Sequence, residues 1–316
     1  MPKPSRYLLF FLLPLSFCLL AQAQSAAASP GAKKQLLWEK LEQTIQAADR
    51  DFDGILAVSV RDLTDGQTFL YHADEIMPTA SSIKIAVLAE LYRQHQQGKL
   101  KLTDLYTVDA RDLVPDSDIL GGLTAGVTRL TLRDVATAMI AVSDNSATNI
   151  LMDRVGMDNV NALLASLGLK DTRLRRKMMD LAAAQQGREN VATPREMMLL
   201  LDALHHERVL NHELTADFFK MLATHKDSAF RRALPDSVRS ADKPGELEGV
   251  RNDVGIIYAT NRPFILCVMT TYDAHERRAH DLIGRLAVAA YEMFERIGRA
   301  SDYGRVISPG NSTPPK

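Results

Sequence analysis

The sequence predicts a mixed α/β (α+β) fold in which a mainly antiparallel five-stranded sheet is covered by helices and carries an inserted helical lobe. Two strand-like runs open the folded part of the 316-residue chain, three more close it, and the middle has helical periodicity. Strands need neighbours for their backbone groups, so the two opening and three closing strands are expected to share one sheet. The helical middle would then dock against the side of that sheet.

Each element has its own signal. Apolar residues at helical spacing predict a first helix over 36–48, and Asp65-Gly66 marks a hairpin turn between strands 55–60 and 68–71. The middle of the chain contains several helix-like segments: 83–97, 132–141, 146–155, 160–167 and 194–204. The closing part contains strand-like runs followed by a final helix: 238–241, 254–259, 264–271 and 274–298.

These elements divide the chain into regions. Residues 24–300 form the predicted folded domain, with a sheet lobe over 34–72 and 226–300 and a helical lobe over 73–225. The remaining segment 301–316 is rich in Ser, Pro and Gly, which predicts a disordered tail. The two lobes predict a seam between them, and a seam of this kind is a usual place for a binding pocket.

The first residues have the pattern of an export signal. Lys3 and Arg6 precede an apolar stretch over 7–20, and Ala21-Gln22-Ala23 has the small-x-small pattern of a cleavage site. We therefore predict a signal peptide over 1–23 and a periplasmic or secreted protein, cleaved near Ala23. The apolar stretch is short for a membrane span, and uncleaved anchoring is the alternative.

Composition excludes several classes. Removing the leader changes the formal net charge from −1 to −3, which favours neither nucleic acid nor an anionic membrane as a partner. Cys267 is the one cysteine of the mature chain, so it forms no intramolecular disulfide. The histidines lack metal-ligand spacing and no phosphate-binding Gly-rich motif occurs, so we expect no metal and no cofactor. The expected partner is a small molecule and the expected state is a monomer.

Three short motifs carry the chemistry. They follow one another in this order: Ser81-Ser82-Ile83-Lys84, Ser143-Asp144-Asn145 and Lys243-Pro244-Gly245. Each is weak alone, but together they describe a serine hydrolase that works through an acyl-enzyme. Folding must bring three distant segments to one place.

The residue types suggest the roles of four catalytic candidates. Ser81 precedes a helix whose free N–H groups favour developing negative charge, and Lys84 lies three residues on, within reach of its hydroxyl. A lysine accepts a proton when burial and nearby cations depress its pKa, and Lys243 would be one such cation. Ser143 is placed to pass the proton onward to the leaving group.

Further candidates would bind the substrate. Asn145 offers an amide to the substrate carbonyl or to Lys84, whereas Asp144 is expected to brace the loop. Gly245 lies on an expected edge strand and allows close approach of the substrate backbone. The N–H groups of Ser81 and Glu246 would form the oxyanion hole.

The three motifs resemble those of the class A β-lactamase family and its penicillin-binding relatives. Flanking stretches match as well: 130–134, 146–151 and 251–253. The resemblance covers the mature chain and implies a β-lactamase/transpeptidase-like fold with the serine between two lobes. It also implies hydrolysis of β-lactam amides.

Two positions depart from the family pattern. Family β-lactamases carry a glutamate, and four residues later an asparagine, that position the deacylating water; by the Thr172-Arg173-Leu174 register these positions are Met178 and Ala182. Asp180, Glu189 or Lys84 would then have to activate that water. Pro244 replaces the usual Thr or Ser, whose hydroxyl helps to hold a β-lactam carboxylate.

These departures keep other functions open. One is an esterase or D-alanyl peptidase acting on cell-wall fragments, and another is a sensor that stays acylated by a β-lactam or muropeptide. The basic run that contains Arg173, Arg175, Arg176 and Lys177 is expected to be a solvated loop with one internal salt bridge. Attraction of an anionic substrate is the alternative.

Overall fold

The computed structural model describes residues 30–301 and 303–306. The predicted signal peptide over 1–23 lies outside the described residues, as do residue 302 and residues 307–316 of the predicted tail. The remaining tail residues form a turn in which Ala300 bridges to Val306.

A five-stranded antiparallel sheet lies at the centre. The strands in chain order are β1 Ile55–Asp62, β2 Thr68–Tyr71, β3 Met77–Pro78, β4 Leu105–Thr107, β5 Arg129–Thr131, β6 Val191–Ala192, β7 Ser240–Leu247, β8 Val250–Ala259 and β9 Arg262–Thr271. The main sheet has the order β2-β1-β9-β8-β7, so the opening hairpin pairs with the closing three strands and the predicted fold is confirmed. Strand β3 pairs with β6, and β4 with β5, in two small sheets.

Helices cover both faces of this sheet. In the described part of the chain they are α1 Pro30–Arg50, α2 Lys84–Gln96, α3 Leu132–Ala141, α4 Asn145–Val155, α5 Met157–Ser166, α6 Leu181–Gln185, α7 Pro194–His205, α8 His212–Leu222, α9 Ala229–Ala233 and α10 Glu276–Arg299. Three short 3₁₀ helices lie at Ala80–Ile83, Ala110–Asp112 and Leu120–Gly122.

The two faces of β9 divide the core, because successive side chains of a strand point in opposite directions. Phe264, Leu266 and Val268 face the layer of α1 and α10, where Phe264 stacks on Phe294 with ring centroids 4.1 Å apart. The intervening residues Ile265, Cys267 and Met269 face the helical middle of the chain. This strand is therefore buried on both sides, and Cys267 is a free, buried thiol.

Strand β7 forms one edge of the sheet. It contains Pro244, which has no N–H to donate and is therefore tolerated in an edge strand better than in a central one. The expected edge strand at Lys243–Glu246 is thus confirmed, and it places these residues beside the 3₁₀ helix that carries Ser81.

Candidate active site

Ser81 lies on the 3₁₀ turn Ala80–Ile83, which continues directly into α2. Its neighbour Ser82 is buried and donates a hydrogen bond to the Thr79 carbonyl oxygen at 2.8 Å. Ser81 instead is partly exposed and lines a cavity of about 730 Å³. Residues Lys84 to Tyr92 are all buried, so the serine is held on a rigid element.

The loop between α3 and α4 brings Ser143 to Lys84. Ser143 adopts a left-handed backbone conformation with φ of 58°. The Lys84 ammonium donates to the Ser143 carbonyl oxygen at 2.6 Å, to Ser143 Oγ at 2.9 Å and to Asn145 Oδ1 at 3.0 Å. Of these three acceptors only Ser143 Oγ has a hydrogen of its own to return, so this contact is the one through which a proton can pass.

Lys243 reaches the same hydroxyl from the other side. Its Nζ lies 3.0 Å from Ser143 Oγ and donates also to the Pro244 carbonyl oxygen at 3.1 Å. Ser143 Oγ therefore lies between two lysine amines. Lys84 is 0% exposed and Lys243 is 1% exposed, so water screens neither charge effectively.

The pKa values of both lysines are depressed. Burial and then the neighbouring charge of Lys243 lower the pKa of Lys84 well below its ordinary value, against an opposing effect of Asp144. Burial and then the charge of Lys226 lower the pKa of Lys243 to about 7. The site therefore favours a neutral amine at one of its lysines near neutral pH.

Gly245 is required where β7 passes the start of α2. A Cβ atom at this position would lie 2.5 Å from the Thr79 carbonyl oxygen, 3.0 Å from the Ser82 N and 3.1 Å from the Ser81 N. Only glycine lets the strand approach the nitrogen of the nucleophile so closely. Glu246 follows it and lines the cavity with Ser81, so the structure brings the two members of the expected oxyanion hole to one site.

Asp144 supports the loop from below. It is fully buried, and its carboxylate accepts hydrogen bonds from the Ala147 N at 2.8 Å, the Ile119 N at 3.0 Å and the Leu120 N at 2.8 Å. These three bonds tie α4 to the segment before α3. The expectation that Asp144 braces the loop is confirmed.

Met178 lies beside the serine in a second, smaller cavity of about 110 Å³. Its side chain is 8% exposed. Ser81, Asn145 and Glu189 line the same cavity. The Arg176 guanidinium forms a salt bridge with the Glu189 carboxylate, with 2.8 Å between Arg176 Nη2 and Glu189 Oε2.

The other candidate acids and bases of this loop are placed differently. Asp180 caps α6 through the Ala183 N at 3.0 Å and does not line the cavity of Ser81.

The basic residues of this loop differ in exposure. Arg175 is exposed, whereas Arg176 is buried because Glu189 and the Lys177 carbonyl oxygen accept its hydrogen bonds. The prediction that the basic residues of this loop are solvated is therefore wrong for Arg176.

Several residues of the site region have no readable sequence signal. Asn149 holds the backbone of Met178, and the Glu196 carboxylate accepts from the backbone nitrogens of Lys170, Asp171 and Thr172 at the start of the loop. Lys226 lines the larger cavity although it is 4% exposed. Such roles depend on distant contacts and leave no periodic pattern along the chain.

Across residues 30–301 and 303–306, no cluster of three or more metal-ligating His, Cys, Asp or Glu side chains occurs. Within the same described ranges, the helices are too short or too polar to cross a bilayer.

The sheet, the helical insertion and the serine–lysine cluster define a β-lactamase-like serine hydrolase. The profile of the "Beta-lactamase enzyme family" matches residues 40–294. Beta-lactamase SME-1 of Serratia marcescens is 32% identical over 291 residues, which are 88% of this chain and 95% of the relative.

Solved structures give the same result. The beta-lactamase of Sphaerobacter thermophilus superposes with a TM-score of 0.74 at 32% identity, covering 81% of this chain and 97% of that one. An ancestral class A beta-lactamase superposes with a TM-score of 0.73 at 28% identity, covering 82% and 100%. The chain belongs to the class A β-lactamase family.

Proposed function

We propose that this chain hydrolyses β-lactam amides through an acyl-enzyme formed on Ser81. The observation that carries the proposal is the position of Ser143 Oγ, 2.9 Å from the Lys84 amine and 3.0 Å from the Lys243 amine in the cavity that Ser81 lines. A relative also supports the proposal: an imipenem-hydrolyzing beta-lactamase of Enterobacter cloacae is 29% identical over 76% of this chain.

The proposed acylation step consists of nucleophilic attack by Ser81 and three proton transfers. Ser81 Oγ attacks the carbonyl carbon of the substrate and its proton passes to the neutral amine of Lys84. The C–N bond of the amide then breaks, and the leaving nitrogen takes a proton from Ser143 Oγ, which is resupplied by Lys84. Lys243 holds the Ser143 hydroxyl in place from the opposite side.

The developing negative charge has two proposed donors. The N–H groups of Ser81 and Glu246 would bind the oxyanion, and Gly245 keeps their strand and helix close together. Removing one donor of such a pair typically costs about 2.7–4 kcal/mol of transition-state stabilisation.

Release of the acyl group is the step for which Met178 matters. A thioether accepts no proton, so the deacylating water needs another base. Glu189 lines the cavity of Ser81 and Asp180 does not, which favours Glu189 or Lys84 over Asp180. Because Arg176 holds the Glu189 carboxylate, we expect slow deacylation.

Export is part of the proposal. The charged start at Lys3 and Arg6, the apolar stretch and the Ala21-Gln22-Ala23 pattern support a periplasmic or secreted enzyme. N-terminal sequencing of the protein recovered from outside the cytoplasm tests it, with Gln24 as the expected first residue.

The decisive experiment is an intact-mass time course with excess benzylpenicillin, recorded together with drug consumption. Consumption of many equivalents of drug, with an adduct that decays once the drug is exhausted, supports the hydrolase, whereas a stoichiometric adduct that persists without further consumption supports the sensor or cell-wall functions. Ser81→Ala should abolish both signals, and the matched variant Ser82→Ala should keep them, since Ser82 points away to Thr79. An adduct mapped to another residue would refute the assignment of Ser81.

A further inference from the structure

Lys226 is a buried lysine that lines the active-site cavity together with Lys243. It lies in the loop after α8, is 4% exposed and lines the same cavity as Ser81, Ser143 and Lys243. A lysine this deeply buried costs free energy unless its charge has partners, so its presence next to two other buried lysines requires a reason.

The amine of Lys226 is held by backbone oxygens. It donates to the Leu222 carbonyl oxygen at 2.6 Å and to the Thr224 carbonyl oxygen at 2.6 Å. These acceptors lie at the carboxyl end of α8, where the helix dipole favours a cation. Among the described residues, no carboxylate oxygen lies within 4.0 Å of either the Lys226 or the Lys243 amine.

The two buried acids nearby each use one carboxylate oxygen in a hydrogen bond, whereas Asp242 Oδ2 and Asp253 Oδ1 have no hydrogen-bond partner among the described residues. Asp242 Oδ1 accepts a hydrogen bond from Ser240 Oγ at 2.6 Å, and Asp253 Oδ2 accepts from the Phe230 N at 2.9 Å. Burial and the charge of Asp242 raise the pKa of Asp253, which weakens it as a counter-ion. The positive charge of Lys226 lowers the pKa of Lys243 against the opposing charges of Asp253, Asp242 and Glu246.

The lysines form a series in which each acts on the next. The charge of Lys226 lowers the pKa of Lys243, and the charge of Lys243 lowers the pKa of Lys84. Burial also lowers the pKa of Lys226 itself, against the opposing charges of Asp242 and Asp253. The other charged and titratable groups that act on these lysines or line the cavity are Asp116 and Asp118 before α3, Asp144 before α4, His225 and Asp227 beside Lys226, Arg231 and Arg232 on α9, Asp242 and Glu246 on β7, and Asp253 on β8.

We propose that Lys226 is a positioning residue for the reaction of Ser81, which acts through Lys243 and sets the pH range in which the Lys243–Ser143 contact supports acylation. The proposal rests on the proposed acyl-enzyme function. Lys226 touches neither substrate nor reacting atoms in this role. Its positive charge favours loss of the Lys243 proton. The acylation rate should therefore fall as pH rises above neutral, and this fall is the basic limb of the pH profile.

The test is the pH profile of the acylation rate, with benzylpenicillin as the probe. In Lys226→Met the basic limb should move to higher pH by at least about half a unit, which changes the ratio of rates at pH 8.5 and pH 7 by about twofold. Lys226→Arg keeps the charge and should keep the limb. Lys220→Met removes an exposed lysine from α8 and should keep both the limb and the rate.

Two results would overturn the proposal. One is an unmoved basic limb in Lys226→Met, and the other is a uniform loss of rate at every pH, which a merely structural role would give. Lys226→Gln is the second variant if Lys226→Met does not fold.

A measurement without substrate separates this proposal from the proposed function. Wild-type protein with ¹³C-labelled lysine side chains should show the Lys243 εCH₂ resonance titrating near neutral pH, with a higher midpoint in Lys226→Gln. An equal midpoint in both proteins refutes the role of Lys226 even if benzylpenicillin acylates Ser81. The expected shift without any acylation would instead refute only the proposed function.

Discussion

The Asn149 side chain makes two hydrogen bonds with the backbone of Met178. Asn149 Oδ1 accepts from the Met178 N at 2.8 Å, and Asn149 Nδ2 donates to the Met178 carbonyl oxygen at 3.1 Å. Both residues are buried, so this two-point contact fixes the position of the Met178 side chain in the small cavity beside Ser81.

Met178→Glu should therefore place a carboxylate in that cavity without moving the loop. We expect release of the acyl group to become faster by about 100-fold or more, because a positioned general base typically contributes that much. The measurement is the decay of the adduct mass after removal of free benzylpenicillin. Ala182→Glu is the matched control, since Ala182 is exposed on α6 outside the cavity and the same acid there should change nothing. An unchanged decay in Met178→Glu would show that the water lies elsewhere.

Gly245→Ala should separate β7 from the start of α2. The added methyl would lie 2.5 Å from the backbone oxygen of Thr79, so one of the two elements must move. A displacement of about 1 Å at a reacting centre can cost about 100-fold in rate, and we expect a loss of that size in acylation of Ser81. Gly122→Ala is the control, because a Cβ at Gly122 meets no atom within 4 Å. Equal rates in both variants would contradict the close approach.

Asp144→Ala should lower the free energy of unfolding of the protein, in addition to any effect on the acylation rate. The variant leaves three backbone N–H groups without an acceptor, two of them buried, and we expect the free energy of unfolding to fall by about 3 kcal/mol. Urea denaturation measures this change. Asp109→Ala removes an exposed capping carboxylate and should cost less than about 1 kcal/mol. A small effect at Asp144 would mean that water replaces the lost acceptor.

Stability should depend on pH through Lys243. Its pKa of about 7 in the folded protein lies below the ordinary lysine value of 10.5, so the unfolded chain binds more protons between these values. The free energy of unfolding therefore gains a contribution as pH rises from 7, which amounts to about 2 kcal/mol by pH 9. Below pH 7 both states are protonated and this gain is absent.

Lys243→Met isolates that contribution. Urea denaturation at pH 7 and pH 9 should show a smaller rise in the variant than in the wild-type protein. Lys99→Met, which removes an exposed lysine, should keep the wild-type rise. Parallel changes in the wild-type protein and Lys243→Met would contradict a depressed pKa at Lys243.

The sequence predicts the main sheet and the meeting of the three motifs because local signals specify them. The Asp65-Gly66 turn and the continuous apolar run of β9 are each recognised from neighbouring residues. The three motifs are expected to meet at one site, and the contacts of Ser143 Oγ with Lys84 and Lys243 join one residue from each motif.

Other features arise only from the folded environment. The paired strands Met77–Pro78 and Val191–Ala192 are too short to show periodicity. Arg176 reads as one of four basic loop residues, and only its ion pair with Glu189 explains its burial. Lys226 stands alone in a polar loop, and its place on the cavity wall depends on the path of the chain after α8.

The pairing of β1 with β9 also sets the order of events during synthesis. The contact between Arg262 and Asp62 spans 200 residues, and β1 aligns with β9 along its whole length. A growing chain therefore carries the β1–β2 hairpin with one side unpaired until nearly the entire sequence is available. Helix α4 contacts α3 and α5, and these three helices can pack earlier, whereas α7 packs against β1 and β9 and must wait for the sheet. The five-stranded sheet can therefore be completed only when β9 has been synthesised.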